Sequence, residues 1–550
     1  MSSELVKNTL ADAYNAHANF KFETAISKYL QVLKVDPSNV GAVNNLSVLY
    51  LNMSRVYDAE RCIVDFLKAG EGDAITFNHL AVAYQRSSRV RESIKILEYA
   101  LSLDPYKIET YLNFTSGYGL LGDNLKAIEK ALEAIKIMPS SSAAFNNLGT
   151  ILNNMAKFEE AEIAFDTAVE LDPKNIEAFV NLGSNQARIG NSKGAIKTFE
   201  KALRKLPKSG VTQADVIKFL LSFEYLKEGR LKEGWKFYDG GFHPNIPSSS
   251  ARALARTFVK PRWNGQKIKG QRLLVWREQG LGDEMMFLSC IPDLLKIVDD
   301  VVLEVDYRLV ETMTRSFPDI DVRAQYHGPA PYYAAIHQDY DYHVPLGSLM
   351  RYLRPTIESF ESSGPYLKID QIKRSKFSER LSDFKENIIV GICWRSGNID
   401  ALRALTYMNI MNWGELFSLD DITWVNLQYG ECEEECLAAE REFGIKILRW
   451  PDLNLKDDLD DIFALMSELD CIVTVATAVH HMGASAGAET LLITPKGAWN
   501  RFNLEYDPWF SNLYPFVADG DDLSAVFPDV KKRLLNFRKK PKSGGEIEKI

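Results

Sequence analysis

The chain has 550 residues, 46% of them hydrophobic and 25% charged, with a net charge of −9. That length predicts two to four domains and that composition a soluble globular protein. The acidic balance argues against a broad basic footprint for DNA or RNA, and the lack of about 18 uninterrupted apolar residues argues against a transmembrane helix.

The opening stretch MSSELVKNTLADAYNAHANF has neither the basic region nor the apolar core of a secretory signal. Six thinly spread cysteines suit reduced thiols. A cytoplasmic protein is therefore expected. Residues 1–241 carry 29 basic and 29 acidic side chains, so the remainder holds the whole net charge.

The first half repeats. Pro37, Pro105, Pro139, Pro173 and Pro207 lie on a grid of 34 residues whose missing point is Glu71. Ala25, Ala59, Ser93, Ala127, Ala161 and Ala195 form a second grid, and Ala13, Ser47, Ala81, Thr115, Gly149 and Gly183 a third. Small residues at two fixed points let paired helices cross closely, and proline ends the second helix of each pair. Period and pattern are those of tetratricopeptide repeats. Six repeats are predicted over 6–209 and a degenerate seventh over 216–240, giving a repeat domain of 1–241. Stacked repeats form an α-solenoid, a superhelix with an extended concave face. Asn45, Asn113, Asn147 and Asn181 recur on the first helices. They either present amides to a bound protein acceptor's backbone or buttress the turns.

A polar connector spans 242–256. Beyond it β-rich runs at 272–276, 301–305, 388–394, 422–428, 471–475 and 490–494 alternate with helical stretches such as 284–298 and 457–469. Such alternation predicts parallel sheets flanked by helices, an α/β fold. Two lobes are expected, 257–380 and 381–537, divided near the polar stretch 370–387. The tail 538–550 has no apolar period and is expected to be disordered.

Three strand-to-helix turns are candidate sites, because α/β folds bind ligands at the carboxyl ends of their strands. In LLVWREQGLGDEMMF (273–287), Gly280 and Gly282 allow a tight turn and close ligand approach. Met285 stands where a dinucleotide fingerprint would place its third glycine. Asp283 is either a proton acceptor for a hydroxyl or a helix N-cap. In CIVTVATAVHHMGASAG (471–487), Thr477 and Ala478 open a small-residue helix whose free N–H groups suit a phosphate. His481, one turn in, is either a ligand contact or structural. In GICWRSGNIDALRALTY (391–407), Arg395 and Arg403 are either phosphate clamps or surface arginines. The acidic run 457–461 reads mainly as a negative helix start. Cys432 and Cys436 lack further ligands at zinc spacing. No metal site or cofactor is expected.

These segments, in this order along nearly the whole chain, resemble bacterial tetratricopeptide-repeat glycosyltransferases. The carriers are EGRLKEGWKFYD, EQGLGDEMMF, GICWRSG, VNLQYG and DLDDIFALMSELDCIVTVATAVHHMGASAG. The second half is similar to the ADP-heptose:lipopolysaccharide heptosyltransferase family, and the domain order to protein O-GlcNAc transferases. The resemblance implies a GT-B fold of two Rossmann-like lobes and metal-independent transfer of a sugar from a nucleotide-sugar donor to a hydroxyl. Asp283 would be the base. Gly280, Gly282, Arg395, Arg403, Thr477, Ala478 and His481 would hold the donor phosphates. The family motif D-T-[GA]-x-x-H is matched by Thr477, Ala478 and His481, but Ala476 replaces its aspartate. That departure keeps open a scaffold that has lost turnover; transfer onto a lipopolysaccharide-type glycan is a third reading. ADP-, UDP-, GDP- and CMP-linked donors all fit, and flagellin or another surface protein is a candidate acceptor by analogy alone.

Overall fold

A computed structural model describes residues 3–206, 211–242, 252, 256, 258–325, 338–360, 364–396, 407–520 and 522–536. Arg403, the tail 538–550 and most of the connector 242–256 lie outside the described residues. The chain divides into two compact units, Met1–Pro207 and Lys208–Ile550.

The first unit is a series of paired helices: α1 (Ser3–Ala18) with α2 (Phe22–Val35), α3 (Val40–Asn52) with α4 (Val56–Leu67), and α5 (Ala74–Arg86) with α6 (Val90–Leu103). It continues as α7 (Ile108–Leu120) with α8 (Asn124–Ile137), α9 (Ser142–Asn154) with α10 (Phe158–Leu171), and α11 (Ile176–Arg188) with α12 (Ser192–Lys205). Every member of the alanine/serine grid from Ala25 to Ala195 is fully buried. At Gly149 and Gly183 an added Cβ would stand 2.7 Å from Phe165 and 2.6 Å from Phe199, so each glycine is the space its ring fills. The grid prolines follow two residues after α2, α6, α8, α10 and α12. Asn39, Asp73, Ser141 and Asn175 cap α3, α5, α9 and α11, accepting from backbone N–H groups the helix cannot use.

The second unit opens with a helix hairpin, α13 (Val211–Lys227) and α14 (Leu231–Tyr238). This is the predicted seventh repeat. It falls in the second unit rather than with the array, because Leu226, Leu231, Trp235 and Tyr238 share an apolar core with Phe287, Trp509 and Phe463. Then follow β1 (Arg272–Trp276), α15 (Leu281–Leu288), β2 (Asp300–Val305), α16 (Val310–Ser316), β3 (Asp321–Ala324) and β4 (Tyr342–Pro345). These strands form a parallel sheet in the order β3-β2-β1-β4. After α17 (Gln371–Arg380) come β5 (Ile388–Cys393), β6 (Ile422–Asn426), α18 (Glu433–Phe443), β7 (Ile447–Leu448) and α19 (Leu459–Met466). The unit ends with β8 (Cys471–Val475), α20 (Ala478–Ser485), β9 (Thr490–Pro495), β10 (Leu513–Ala518) and α21 (Phe527–Leu535). This second sheet is also parallel, in the order β10-β9-β8-β5-β6-β7. The region is thus α/β, as expected.

Three differences from the sequence reading have plain causes. The helix expected at 284–298 begins earlier, at Leu281, and stops at Leu288; Pro292, which has no N–H to continue it, sits in a separate turn of helix, Ile291–Leu294. The polar stretch near 370–387, read as a lobe boundary, lies between the strands of the two sheets but is not a bare linker, because it contains α17. Its charges pair with the second sheet's helices and loops: Lys373 with Asp461 at 2.7 Å, Arg374 with Glu468 at 2.7 Å. Strands β3, β4, β7 and β10 had no counterpart in the sequence reading, and each is a sheet edge.

Candidate functional site

Two strand-to-helix turns meet. One leads from β1 into α15 and the other from β8 into α20. Gly280 is the N-cap of α15, so Asp283 is the third helical residue and not the cap. There its negative charge is favoured by the free N–H groups of the first turn, and the residue is half-buried. Thr477 is the N-cap of α20, its Oγ1 accepting from Val479 N at 3.3 Å. A Cβ added to Gly282 would lie 3.2 Å from Ala478 Cα. The two helix starts touch only because both residues are small.

His481 joins them. Its Nδ1 lies 2.8 Å from the Gly282 carbonyl oxygen. A carbonyl only accepts, so Nδ1 carries the hydrogen and Nε2 is left as an acceptor. That Nε2 is buried, with no hydrogen-bond partner among the described residues. Burial, then the neighbouring His480, holds His481 far below the ordinary histidine pKa. His480 is lowered by burial to about 4. Both rings are therefore neutral near pH 7. His481 serves the sequence-predicted site as a link between the two turns, not as a cation.

A cavity of about 230 Å³ opens beside this junction. Gly282 and Ala478 form part of its wall with Leu281, Tyr429, Arg308 and Lys456; Leu455, Leu459, Ile462, Met466 and Met482 make it largely apolar. Arg308 is fixed by Asp306, Nε to Oδ1 at 2.8 Å and Nη2 to Oδ2 at 3.1 Å, and donates from Nη1 to the Lys456 carbonyl at 2.7 Å. The Lys456 side chain is exposed. Sequence reasoning missed both cations. Arg308 follows the end of β2 as Arg395 follows the end of β5, so the strand-end rule that selected Arg395 also points to Arg308.

Arg395 itself does not line the cavity. Its guanidinium is held by Glu435 of α18, with Nε 3.1 Å from both carboxylate oxygens, and Nη2 donates to the Glu431 carbonyl at 2.7 Å. The expected free phosphate clamp is an ion pair. The acidic run also resolves into pairs: Asp460 and Asp461 meet Lys373 at 3.1 and 2.7 Å. Among the described residues no three His, Cys, Asp or Glu side chains are grouped as a metal site would need.

In the array, Asn113 Nδ2 donates to Asn78 Oδ1 at 2.8 Å and Asn181 Nδ2 to Asn146 Oδ1 at 2.9 Å. Asn147 Nδ2 reaches the Leu112 carbonyl at 3.4 Å, and Asn45 Nδ2 bonds Gly41 of its own helix at 2.9 Å. All four amide nitrogens work inside the array, which is the buttressing alternative. All four residues remain half-buried.

A tetratricopeptide-repeat family model matches residues 142–175. The chain is 26% identical to Protein FlbA of Caulobacter vibrioides over 94% of this chain and 93% of that protein. It is 26% identical to Protein O-mannosyl-transferase TMTC3 of Homo sapiens over 34% of this chain and 18% of that one. It is 24% identical to the probable UDP-N-acetylglucosamine–peptide N-acetylglucosaminyltransferase SPINDLY of Hordeum vulgare over 27% of this chain and 16% of that one. The chain thus spans less than a fifth of the length of the last two. No helix among the described residues is long and apolar enough to cross a membrane.

Proposed function

We propose that the second unit is a glycosyltransferase of GT-B type that moves a sugar from a nucleotide-sugar donor to a hydroxyl of a protein held by the repeat array. The observation that carries this reading is the meeting of Asp283's turn and the α20 N-terminus beside one cavity, each at the carboxyl end of a parallel sheet. The names of TMTC3, a protein O-mannosyl-transferase, and of SPINDLY, a probable peptide N-acetylglucosaminyltransferase, support it.

In this mechanism Asp283 accepts the proton of the acceptor hydroxyl. The freed oxygen attacks the anomeric carbon, and the bond from that carbon to the phosphate oxygen breaks. The leaving phosphate gains charge as the bond breaks. The N-terminus of α20 at Ala478 supplies partial positive charge to it, and Lys456 a full one. With these groups in place the reaction calls on no metal. The side-chain oxygens of Asn45, Asn113, Asn147 and Asn181 would accept from the backbone N–H groups of an extended acceptor segment.

A second reading is a repeat scaffold whose transferase-like unit no longer turns over. Ala476 in the family aspartate's place and Glu435's hold on Arg395 favour it. A thermal-shift screen with ADP, UDP, GDP and CMP and their sugar conjugates separates the two. A ligand at 100 times its dissociation constant adds about 2.7 kcal/mol. A selective shift, followed by a sugar-mass increase on a co-expressed protein acceptor that Asp283→Asn abolishes, supports transfer. Shifts with none of the conjugates sink it.

A further inference from the structure

The residue before the glycine turn is in an unusual state. Gln279 has φ +59°, the left-handed region that favours glycine. A non-glycine residue persists there only where its surroundings hold it. Two groups from the segment that precedes the first sheet bond it directly, and its neighbour Glu278 is held as well. The Gln279 N–H donates to the Arg252 carbonyl at 2.8 Å. Its side-chain Oε1 accepts from the Tyr238 hydroxyl at 2.8 Å. Its neighbour Glu278 is fully buried, takes the Arg252 Nε at 2.6 Å, and accepts from Gly347 N at 2.7 Å.

Tyr238 is the last residue of α14 and is itself immobilised. Its ring lies against Phe219, Phe223, Trp235 and Trp499, with the Arg252 guanidinium 4.0 Å from its centroid. Arg252 Nη1 also donates to the Tyr238 carbonyl at 3.2 Å. The hydroxyl is therefore a fixed point anchored in an aromatic cluster, and it grips the strained residue directly ahead of Gly280. Asp283 is near enough to act electrostatically on Tyr238.

We infer that Tyr238 is a positioning residue for the Gly280–Asp283 turn, acting through Gln279. The inference rests on the reading of Asp283 as the base. The helix hairpin, repeat-like in sequence, is then a brace for the site. A phenylalanine at 238 would keep the ring's packing and lose only the grip. Gln279→Ala would lose the same grip from the other side.

The test is residue-resolved hydrogen exchange on the full chain with Tyr238→Phe, Gln279→Ala and the double variant, without ligand. The amides to follow are Gln279 and Glu284, which are bonded to the Arg252 and Gly280 carbonyls. Each single variant is expected to speed their exchange about tenfold at an unchanged melting temperature, and the double variant no further. Unchanged exchange in Tyr238→Phe, or additive effects in the double variant, overturns the inference. With the nucleotide-sugar the thermal screen selects, Tyr238→Phe should lower kcat and leave KM alone; a raised KM at constant kcat also overturns it. Asp283→Asn separates this from the functional reading. Retained transfer in Asp283→Asn removes the base but leaves the exchange result standing, whereas lost transfer there with normal exchange in Tyr238→Phe removes only the brace.

Discussion

The two units are built on opposite principles. In the array, recurring residues meet partners in their own or an adjacent repeat: Gly149 makes room for Phe165, and Asn181 reaches Asn146. In the second unit, the contacts that make the site cross much longer distances in sequence. His481 meets Gly282, 199 residues away. In the proposed reading, the first spreads binding over a surface repeated many times, so that no single residue is decisive, and the second concentrates chemistry where two distant turns touch, so that single atoms decide it.

Substitutions can break or sharpen that contrast. The largest effect is expected from Asp283→Asn. As the proposed base it should lower transfer by about 10³-fold, measured by sugar incorporation into the acceptor, with the array's helical signal unchanged. Transfer at the wild-type rate would reduce Asp283 to a helix-start charge. Phe165→Ala is the array's counterpart. It empties a ring-sized space against Gly149 and should cost about 3–5 kcal/mol, read as a lower calorimetric transition for the repeats with nucleotide binding preserved. Loss of nucleotide binding in that variant would mean that the first unit's stability is not separable from the site.

A pH titration comes next. His480 has a folded pKa of about 4, below the ordinary 6.5, because it is buried. Between those values the unfolded chain binds a proton that the folded chain does not, so stability falls as pH drops from about 6.5 to 4. At about 1.4 kcal/mol per unit the loss is on the order of 3 kcal/mol. His480→Gln should flatten that part of the unfolding free energy against pH, and an unchanged slope would show that His480 is not its source. The smallest effect is expected from Gly282→Ala. Its Cβ would press on Ala478 Cα at 3.2 Å, and moving the turn by a few tenths of an ångström should lower the transfer rate about tenfold at a constant melting temperature. Full activity would show that the junction tolerates slack.

How far the sequence could be read differs between the regions for the same reason. Six strands were legible, β1, β2, β5, β6, β8 and β9, and all six are interior to their sheets. Buried on both faces, they are continuous apolar runs. The four unread strands are edges, such as β3 (DVRA), with only part-buried or exposed side chains, and β7, with two residues. An edge strand's identity comes from its neighbour's hydrogen bonds and leaves little trace in its composition. At the site, the glycine turns and the small-residue helix were legible because backbone geometry demands those residues locally. The pairing of Arg395 with Glu435 and the grip of Tyr238 on Gln279 were not, because each depends on a side chain from another element.

What the sequence by itself determined was therefore whatever repeats or is locally constrained: the 34-residue array with its buried small residues, the parallel α/β character, and the turns at 280–283 and 477–481. Only the tertiary structure decided which unit the seventh hairpin joins, which cations face the cavity, and that His481 is a neutral link between two turns. A period is written into every repeat and can be counted. A contact between residues 199 apart is written only in the packing of the elements between them.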